Sequence, residues 1–378
     1  MSILKSELNF DSAIDYHYDQ FPPVDLNYAE LIAPLAAATD AIARFDQMLK
    51  NMHNSEILLA PLRSQEAVIS SRMEGTVSTI DEILRYEADY EEGEEDSSNV
   101  RHEIIETILY RRALSTAVNA IEDGHQVSPW LIKALHSRLL SFGRGVSKSP
   151  GEYKNEQNYL ADRTRKNILF VPISPERLED GMDNLFKYMN ESEHQILIRT
   201  AISHIEFEAL HPFEDGNGRI GRMLITLMLW HSGVISAPHF YISGYLEENK
   251  DLYIDSMRAV SEKGDWTSWC VFFLNTLEKQ AIRNLEIAES INVLYEDMKQ
   301  RFSDTLASKW SVNALDFVFT NPYFRNNKFT NSSGIPASSA ARFTRLLLDE
   351  NLLVTLEEPS GRRPALYMFE PLIQLVRV

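Results

Sequence analysis

Within twelve residues, His211 to Arg222, the chain places a histidine, two acids, a Gly-Asn-Gly triplet and two arginines in the string HPFEDGNGRIGR. Proline disfavours the αR region for the residue before it, so a helix over Gln195 to Leu210 must stop there, leaving His211 on a bend with its ring open to a cleft. The EDGNG segment tolerates tight turns and positive φ and leaves backbone N–H groups uncovered by side chains. Ile220, Met223, Leu224, Leu227, Met228 and His231 then keep helical spacing. A second helix therefore opens near Gly216 or Asn217, and its unsatisfied donors and partial positive charge suit an anion. Arg219 and Arg222 lie side by side on its first turn, where cations oppose the helix dipole; they make sense as a clamp whose guanidinium forks match phosphate oxygens. Asp215 is the lone carboxylate beside them, suited to a magnesium ion held by one carboxylate plus phosphates. The chemistry of the stretch is a polyphosphate cradle with a histidine at its rim. A di-iron reading of the Glu-x-x-His pairs Glu208/His211 and Glu191/His194 needs further glutamates from two other helices and leaves the glycines and arginines without a purpose.

The elements that position this cradle are mainly α. Apolar residues recur at three- and four-residue spacing through most of the first 300 positions, as in Leu58, Leu62, Ile69 and Met73, or Ile198, Ala201, Ile202, Ile205 and Ala209. Ser128-Pro129 reads as an N-cap followed by proline at the first helical position, and Thr79 to Glu82 as a capping box. Extended candidates are NILFVP (Asn167 to Pro172) and a late pair, LLVTLEE and ALYMFE, joined by PSGRRP. The acidic run from Tyr86 to Asn99 reads as a solvated loop. At the end of the chain a helix (SVNALDFVFT), a Gly-containing turn, a second helix (ASSAARFTRLLLDEN) and the hairpin follow the order of a winged helix-turn-helix. Arg342 and Arg345 sit on its second helix and Arg362 and Arg363 at the hairpin tip, so the module could read DNA. From Trp310 onward, however, seven Lys and Arg face six Asp and Glu, and a near-neutral module suits a protein contact or dimerisation as well.

Composition sets the outer bounds. With 378 residues, 44% of them hydrophobic, the chain has room for two or three domains with cores of their own. No apolar run approaches the roughly 18 residues that span a bilayer, and the start lacks a basic segment followed by an apolar one, so neither a membrane span nor a secretory signal is expected. The single cysteine, Cys270, excludes an internal disulfide framework and a multi-cysteine zinc site, which fits a reducing cytoplasm. A formal charge of -18 argues against nonspecific binding of nucleic acid or acidic membrane by the whole molecule.

From His211 to Arg222 the string agrees at every constrained position with His-Pro-Phe-x-Asp/Glu-Gly-Asn-Gly-Arg-x-x-Arg, and here the chain resembles the Fic domain proteins. The flanks agree: SPGEYKNEQNYL (Ser149 to Leu160) is similar to the family's strand-and-flap entry, and YISGYLEENKDLYIDSM to the segment after the motif helix. The resemblance covers roughly Val100 to Leu277, with the family's adjacent tyrosine pair represented by Tyr253 followed by Ile254. Upstream, SSRMEG (Ser70 to Gly75) resembles the family's inhibitory motif Ser/Thr-x-x-x-Glu-Gly/Asn. Ser70 and Glu74 share a helix face, and Gly75 suits an αL helix end.

The resemblance implies a Fic-type helical core with a short β-hairpin flap over residues 100–285, an N-terminal segment 1–99 carrying the inhibitory helix, and a winged-helix-like domain over 300–378. It implies an autoinhibited cytoplasmic adenylyltransferase that moves AMP from ATP, with Mg2+, onto hydroxyl side chains of target proteins or of itself. In that reading His211 is the general base, Asp215 holds the metal, and Gly216, Asn217 (side chain included) and Gly218 form the anion hole. Arg219 and Arg222 grip the β- and γ-phosphates, Tyr253 contacts the adenine side, and the flap around Tyr159 to Pro172 aligns the target by strand addition. Glu74 would pair with Arg222 in place of the γ-phosphate. Removal of AMP, with Glu74 positioning a water, and a DNA-binding regulator that senses nucleotide are the alternatives, and a homodimer is implied by analogy. His204 with Glu208 at i+4 reads as a satisfied core pair or a support for His211, while Tyr16, Tyr18 and the FPP segment pack on the core or on a partner.

Overall fold

Helix follows helix along nearly the whole chain, which a computed structural model describes over residues 8–89, 101–162, 164 and 166–377. In chain order the elements are β1 (Ile14–Asp15), α1 (Tyr28–Asn51), α2 (Ser55–Leu58), α3 (Ala60–Met73), α4 (Ile80–Asp89), α5 (His102–Glu122), α6 (Pro129–Leu139), β2 (Leu160–Ala161), β3 (Ile168–Val171), α7 (Pro175–Glu191), α8 (Ile196–Leu210), α9 (Asn217–His231), α10 (Ser243–Glu248), α11 (Lys250–Lys263), α12 (Trp266–Leu306), α13 (Ser311–Thr320), β4 (Tyr323–Arg325), α14 (Asn326–Ser332), α15 (Ala337–Asp349), β5 (Val354–Glu357), β6 (Leu366–Met368) and α16 (Glu370–Val376). None of the described helices is long and apolar enough to cross a membrane.

Local signals set several of these boundaries. Ser128 Oγ accepts the Leu131 N–H at the start of α6, with Pro129 in the first turn. Before α4 the capping box is reciprocal: Glu82 accepts the Thr79 N–H at 2.8 Å and Thr79 Oγ1 accepts the Glu82 N–H at 3.2 Å. The acidic run does not start as a loop. Tyr86 to Asp89 form the last turn of α4, with Tyr86 and Ala88 buried, and residues 90–99 of the run lie outside the described residues.

By packing, the chain forms two compact units, residues 1–44 with 109–282 and residues 45–108 with 283–378. At the centre of the first, α8 is flanked by α7 and α9. Ile198, Ala201, Ile202, Ile205 and Leu210 are buried, and the Trp269 indole donates to the Ala201 carbonyl at 2.8 Å. A three-stranded sheet of order β1-β3-β2 lies in the same unit, with β1 parallel and β2 antiparallel to β3. The N-terminal arm thus adds a strand to the expected hairpin: Tyr16 N–H bonds the Val171 carbonyl, and Asn9 exchanges backbone bonds with Lys166 and Ile168. Tyr16 and Tyr18 pack within this unit, Tyr18 accepting the Ser174 N–H at 3.0 Å.

In the second unit α13, β4, α14, α15 and the β5/β6 hairpin follow one another, and the sheet order β4-β6-β5 pairs Tyr323 with Met368 and Val354 with Met368. Strand β4, absent from the sequence reading, is three buried residues long. α4 packs on it, and the Tyr323 hydroxyl donates to Asp81, which also accepts two bonds from Arg377. Arg325 is held between Asp89 at 2.6 Å and Glu357 at 2.7 Å with its side chain 6% exposed. Two of the four arginines that suggested DNA contact are engaged inside this unit, Arg342 with the Leu306 carbonyl and Arg363 with Asp89. Thr79→Ala should lower stability by about 1 kcal/mol through loss of the cap, and Arg325→Ala by up to about 3 kcal/mol because it removes the buried guanidinium and leaves Asp89 and Glu357 only more exposed arginines, Arg363 and Arg85, as partners. Thermal or denaturant unfolding monitored by circular dichroism checks both.

Candidate active site

α8 ends at Leu210, and His211 resolves the restriction imposed by Pro212 in the left-handed region, with φ 46° and ψ 61°. Its N–H closes the helix on the Phe207 carbonyl at 3.0 Å. A residue with a β-carbon pays roughly 1–2 kcal/mol for that conformation, so the surroundings must hold the bend in place. His211 Nδ1 lies 3.3 Å from the Glu208 carbonyl oxygen. A carbonyl only accepts, so Nδ1 carries the proton and Nε2 the lone pair, the tautomer a general base needs.

Four side chains brace the bend. Asn158 donates to the carbonyls of His211 and Phe213, each at 3.1 Å. Lys154 Nζ donates to the Leu210 carbonyl at 3.0 Å and to Asn158 Oδ1 at 2.8 Å, and burial pulls its ammonium down to about 7. Asn217 grips Phe213 with both ends of its amide, accepting the N–H at 2.9 Å and donating to the carbonyl at 2.8 Å. The Asn217 side chain, expected at the anion site, is thus engaged with the backbone of its own loop. His136 stacks on Phe213 with centroids 3.8 Å apart. Its Nδ1 accepts the Gly151 N–H at 2.8 Å, so Nε2 carries the proton and donates to the Asp215 carbonyl at 2.9 Å. Burial holds this imidazole down at about 4.

The first turn of α9 is shaped for an anion. Gly216 sits at φ 82°, and a β-carbon there would also press to 3.2 Å from Leu139 Cδ2. No side chain caps the helix and no acid lies in its first turn. Asp215 Oδ1 accepts from the Gly216 N–H at 2.6 Å and from Arg219 Nη2 at 3.2 Å. Arg219 is 3% exposed, yet its Nε and Nη1 have no hydrogen-bond partner. Leaving charged donors buried and unmatched is costly, so this guanidinium fits phosphate oxygens that would complete it. Arg222 is buried to the same degree one turn on. No three His, Cys, Asp or Glu residues gather as metal ligands among the described residues, which leaves the two Glu-x-x-His pairs without the partners of a di-iron site. Asp215 offers one carboxylate, which fits a magnesium ion that shares its coordination with phosphates.

His204 joins three helices. Its Nδ1 donates to the Gly221 carbonyl at 3.2 Å and its Nε2 accepts the Tyr253 hydroxyl at 2.7 Å, in place of a pairing with Glu208. Burial, and after it the Arg222 charge, hold this imidazole down at about 3. Tyr253 is itself buried with its hydroxyl turned to His204. Ile254 and Met257 of α11, Ile205 and Ala209 of α8, and Leu160 and Phe170 of the flap enclose an apolar cavity of about 160 Å³. That is room for a ring system, below the roughly 300–1,000 Å³ of a pocket for a whole drug-sized ligand. A larger cavity of about 410 Å³ lies in the second unit, but its Arg325 and Arg363 are paired with Asp89 and Glu357.

The SSRMEG stretch also belongs to the second unit. Ser70 is buried in the last turn of α3, Glu74 is its exposed C-cap, and Gly75 takes φ 86°. Gly75 N–H bonds the Arg72 carbonyl and Thr76 N–H the Ser71 carbonyl, the paired bonds of a Schellman end.

Residues 126–229 match the Fic/DOC family, and residues 32–119 match the Fic/DOC family N-terminal region, together about half of the 378 residues. The chain belongs to the Fic/DOC family. It is 28% identical over 115 residues to the protein adenylyltransferase fic-1 of Caenorhabditis briggsae, covering 30% of this chain and 21% of that protein. A 72-residue stretch is 39% identical to the uridine 5′-monophosphate transferase of Xanthomonas campestris pv. campestris, covering 17% of this chain and 13% of the relative. The chain thus spans about a fifth or less of the length of these relatives. In fold it is similar to a Fic family protein from Desulfovibrio desulfuricans G20, with a TM-score of 0.57 at 18% identity over 92% of this chain and 98% of that one.

Sequence reasoning missed His136, Lys154 and Asn158 in this Fic site. A lone histidine in ALHSRL carries no signal that separates it from an ordinary core residue, and only Pro212 hinted that the bend needed bracing. His136 also makes a pH prediction. Its pKa in the fold is depressed, so between the unfolded value near 6.5 and about 4 the unfolded chain binds a proton that the folded chain does not. Stability should therefore fall as pH drops through that window, by up to about 3 kcal/mol from this ring. His204 contributes with the same sign, so the check is the difference between wild type and His136→Gln, whose unfolding free energy should decline less between pH 6.5 and 4.

Proposed function

We propose that the chain transfers AMP from ATP to a Ser, Thr or Tyr hydroxyl of a target protein, itself included, and that residues 70–75 hold this activity down. The carrying observation is the buried Arg219 with two unmatched nitrogens on the uncapped first turn of α9, one short loop from the lone pair of His211. Family membership and the adenylyltransferase relative support the same chemistry.

In this reading the ATP phosphates rest on the N–H groups of Gly216 to Gly218, with Arg219 and Arg222 on the β- and γ-phosphates and the base in the 160 Å³ cavity. His211 Nε2 takes the proton of the attacking hydroxyl. Its oxygen bonds the α-phosphorus as the bond from that phosphorus to the bridging oxygen breaks, and pyrophosphate leaves with its charge met by the arginines. Asp215 would hold Mg2+, whose charge neutralises the phosphates when bound. Because β3 is already paired on both sides, addition of a target strand falls to β2. Residues 1–99 then carry the inhibitory helix, 100–285 the catalytic core and 300–378 an accessory module. Glu74 inhibits by competing with the γ-phosphate for Arg222, a carboxylate in place of a phosphate.

Glu74→Gly should raise incorporation of label from α-labelled ATP into protein. Adding His211→Ala should lower it again by about 10²–10⁴-fold, and adding Arg219→Ala by about 10²–10³-fold. An unchanged rate in Glu74→Gly would remove the regulatory half of the proposal, and full activity without His211 the catalytic half.

A further inference from the structure

The turn that carries Glu74 lies between α3 and α4, and the C-terminal elements of the same compact unit pack on both helices: α13 and α16 on α3, and β4 on α4. Two adjacent residues join the helices directly. The carbonyl of Val376, the last residue of α16, accepts from Gln65 Nε2 of α3 at 3.2 Å. Arg377, which caps α16, donates to both oxygens of Asp81 in the first turn of α4, at 2.9 and 3.1 Å. The Tyr323 hydroxyl donates to the same carboxylate. At the far end of α4, Asp89 meets Arg325, whose side chain is 6% exposed, whereas Asp81 and Arg377 are 35% and 45% exposed. A pair as exposed as the latter is weak, so the start of α4 can be released while its buried end stays held. The loop between the helices is tied to α5, Thr76 donating to Glu106 at 3.3 Å and the Ser78 hydroxyl lying 2.9 Å from that of Thr107. Glu74 is the C-cap of α3, so its place follows from where α3 ends.

We infer that Val376 and Arg377 form a clasp across α3 and α4 that keeps Glu74 in its inhibitory position, so that the C-terminal module sets the level of autoinhibition. This rests on the reading of residues 70–75 as inhibitory. Because one clasp takes a side chain from each helix, drawing Arg377 away from Asp81 loosens the start of α4 and with it the turn just before it. Asp81, Tyr323 and Arg377 act through Glu74 and are positioning residues. Gln65 and Asp81 lie within the match to the family's N-terminal region, whereas Tyr323, Val376 and Arg377 lie outside both family matches. Family membership therefore supplies one half of the clasp, and the C-terminal elements of this chain supply the other. The module that the sequence set apart by its neutral charge thereby becomes the regulatory input: whatever shifts α16 or β4 acts on the inhibitory turn through side chains already in contact with its two helices.

The test uses the full-length chain, with labelling from α-labelled ATP and amide hydrogen exchange as separate readouts. Arg377→Ala should raise labelling by about two- to fivefold, the worth of one partly exposed ion pair in an equilibrium that lies mostly on the inhibited side. Tyr323→Phe, which removes only the hydroxyl, should act in the same direction. Arg377→Ala should add nothing in an Asp81→Ala background, where its partner is already gone, and nothing in Glu74→Gly, where the inhibitory carboxylate is gone. Independently of activity, Arg377→Ala should speed exchange at Gly75 and Thr76, whose N–H groups close the end of α3. A gain in Glu74→Gly without one in Arg377→Ala, an equal further gain from Arg377→Ala on top of Glu74→Gly, or unaltered exchange at Gly75 and Thr76 would each overturn the clasp. So would labelling that falls together with the melting temperature in both Arg377→Ala and Tyr323→Phe, the mark of a merely structural contact. No gain in Glu74→Gly would instead remove the inhibitory reading beneath it, and the exchange rates tell that failure apart from a failure of the clasp.

Discussion

The site depends on one backbone constraint, the left-handed turn at His211 imposed by Pro212. It ends α8 and reverses the chain within a few residues, so that the first turn of α9 opens beside the imidazole. Such a turn does not hold itself. Asn158, Lys154 and Asn217 take up the carbonyls and the N–H groups that the bend strips from helical partners, and His136 packs flat against Phe213 beneath it. A backbone polar group left unmatched in such a place is expensive, which explains why the loop carries so many side-chain bonds to its main chain.

Three histidines of the Fic unit show how surroundings decide the role of one side chain. His136 accepts from a backbone N–H and donates to a carbonyl, and His204 donates to a carbonyl and accepts from a tyrosine hydroxyl. Both are buried, both are held neutral, and both join segments distant in sequence. His211 has the same ring, but it sits on the bend itself at the end of α8, with Nδ1 3.3 Å from the Glu208 carbonyl oxygen. Neutral imidazoles used as joints suit a site whose nearby arginines already concentrate positive charge.

Charge is distributed with a similar logic. The chain carries a formal charge of -18, yet its Fic motif gathers two buried arginines. In the second unit the arginines meet carboxylates, Arg325 with Asp89 and Glu357 and Arg377 with Asp81, and serve to hold α4 to the C-terminal elements. Arg219 differs because one acid, Asp215, meets only one of its nitrogens. The contrast between matched and unmatched guanidinium groups separates the architectural arginines of the second unit from Arg219, whose unmatched nitrogens carry the proposed phosphate contact.

What the sequence determined by itself are features governed by a few adjacent residues. Pro212 dictated the bend, Gly216 and Gly75 the positive φ angles, Thr79 with Glu82 the reciprocal cap, and apolar spacing the helices around the motif. Short-range sterics and hydrogen bonding act on neighbours, so these could be read directly. Only the tertiary structure decided which distant side chains meet. It brought His17 to Glu206 and Ser261, turned Tyr253 toward His204, put both ends of Asn217 on Phe213, and added β1 and β4, strands of two and three residues that are too short to show alternation. Those outcomes follow from packing and from the need to satisfy each buried polar atom, and neither leaves a periodic trace along the chain.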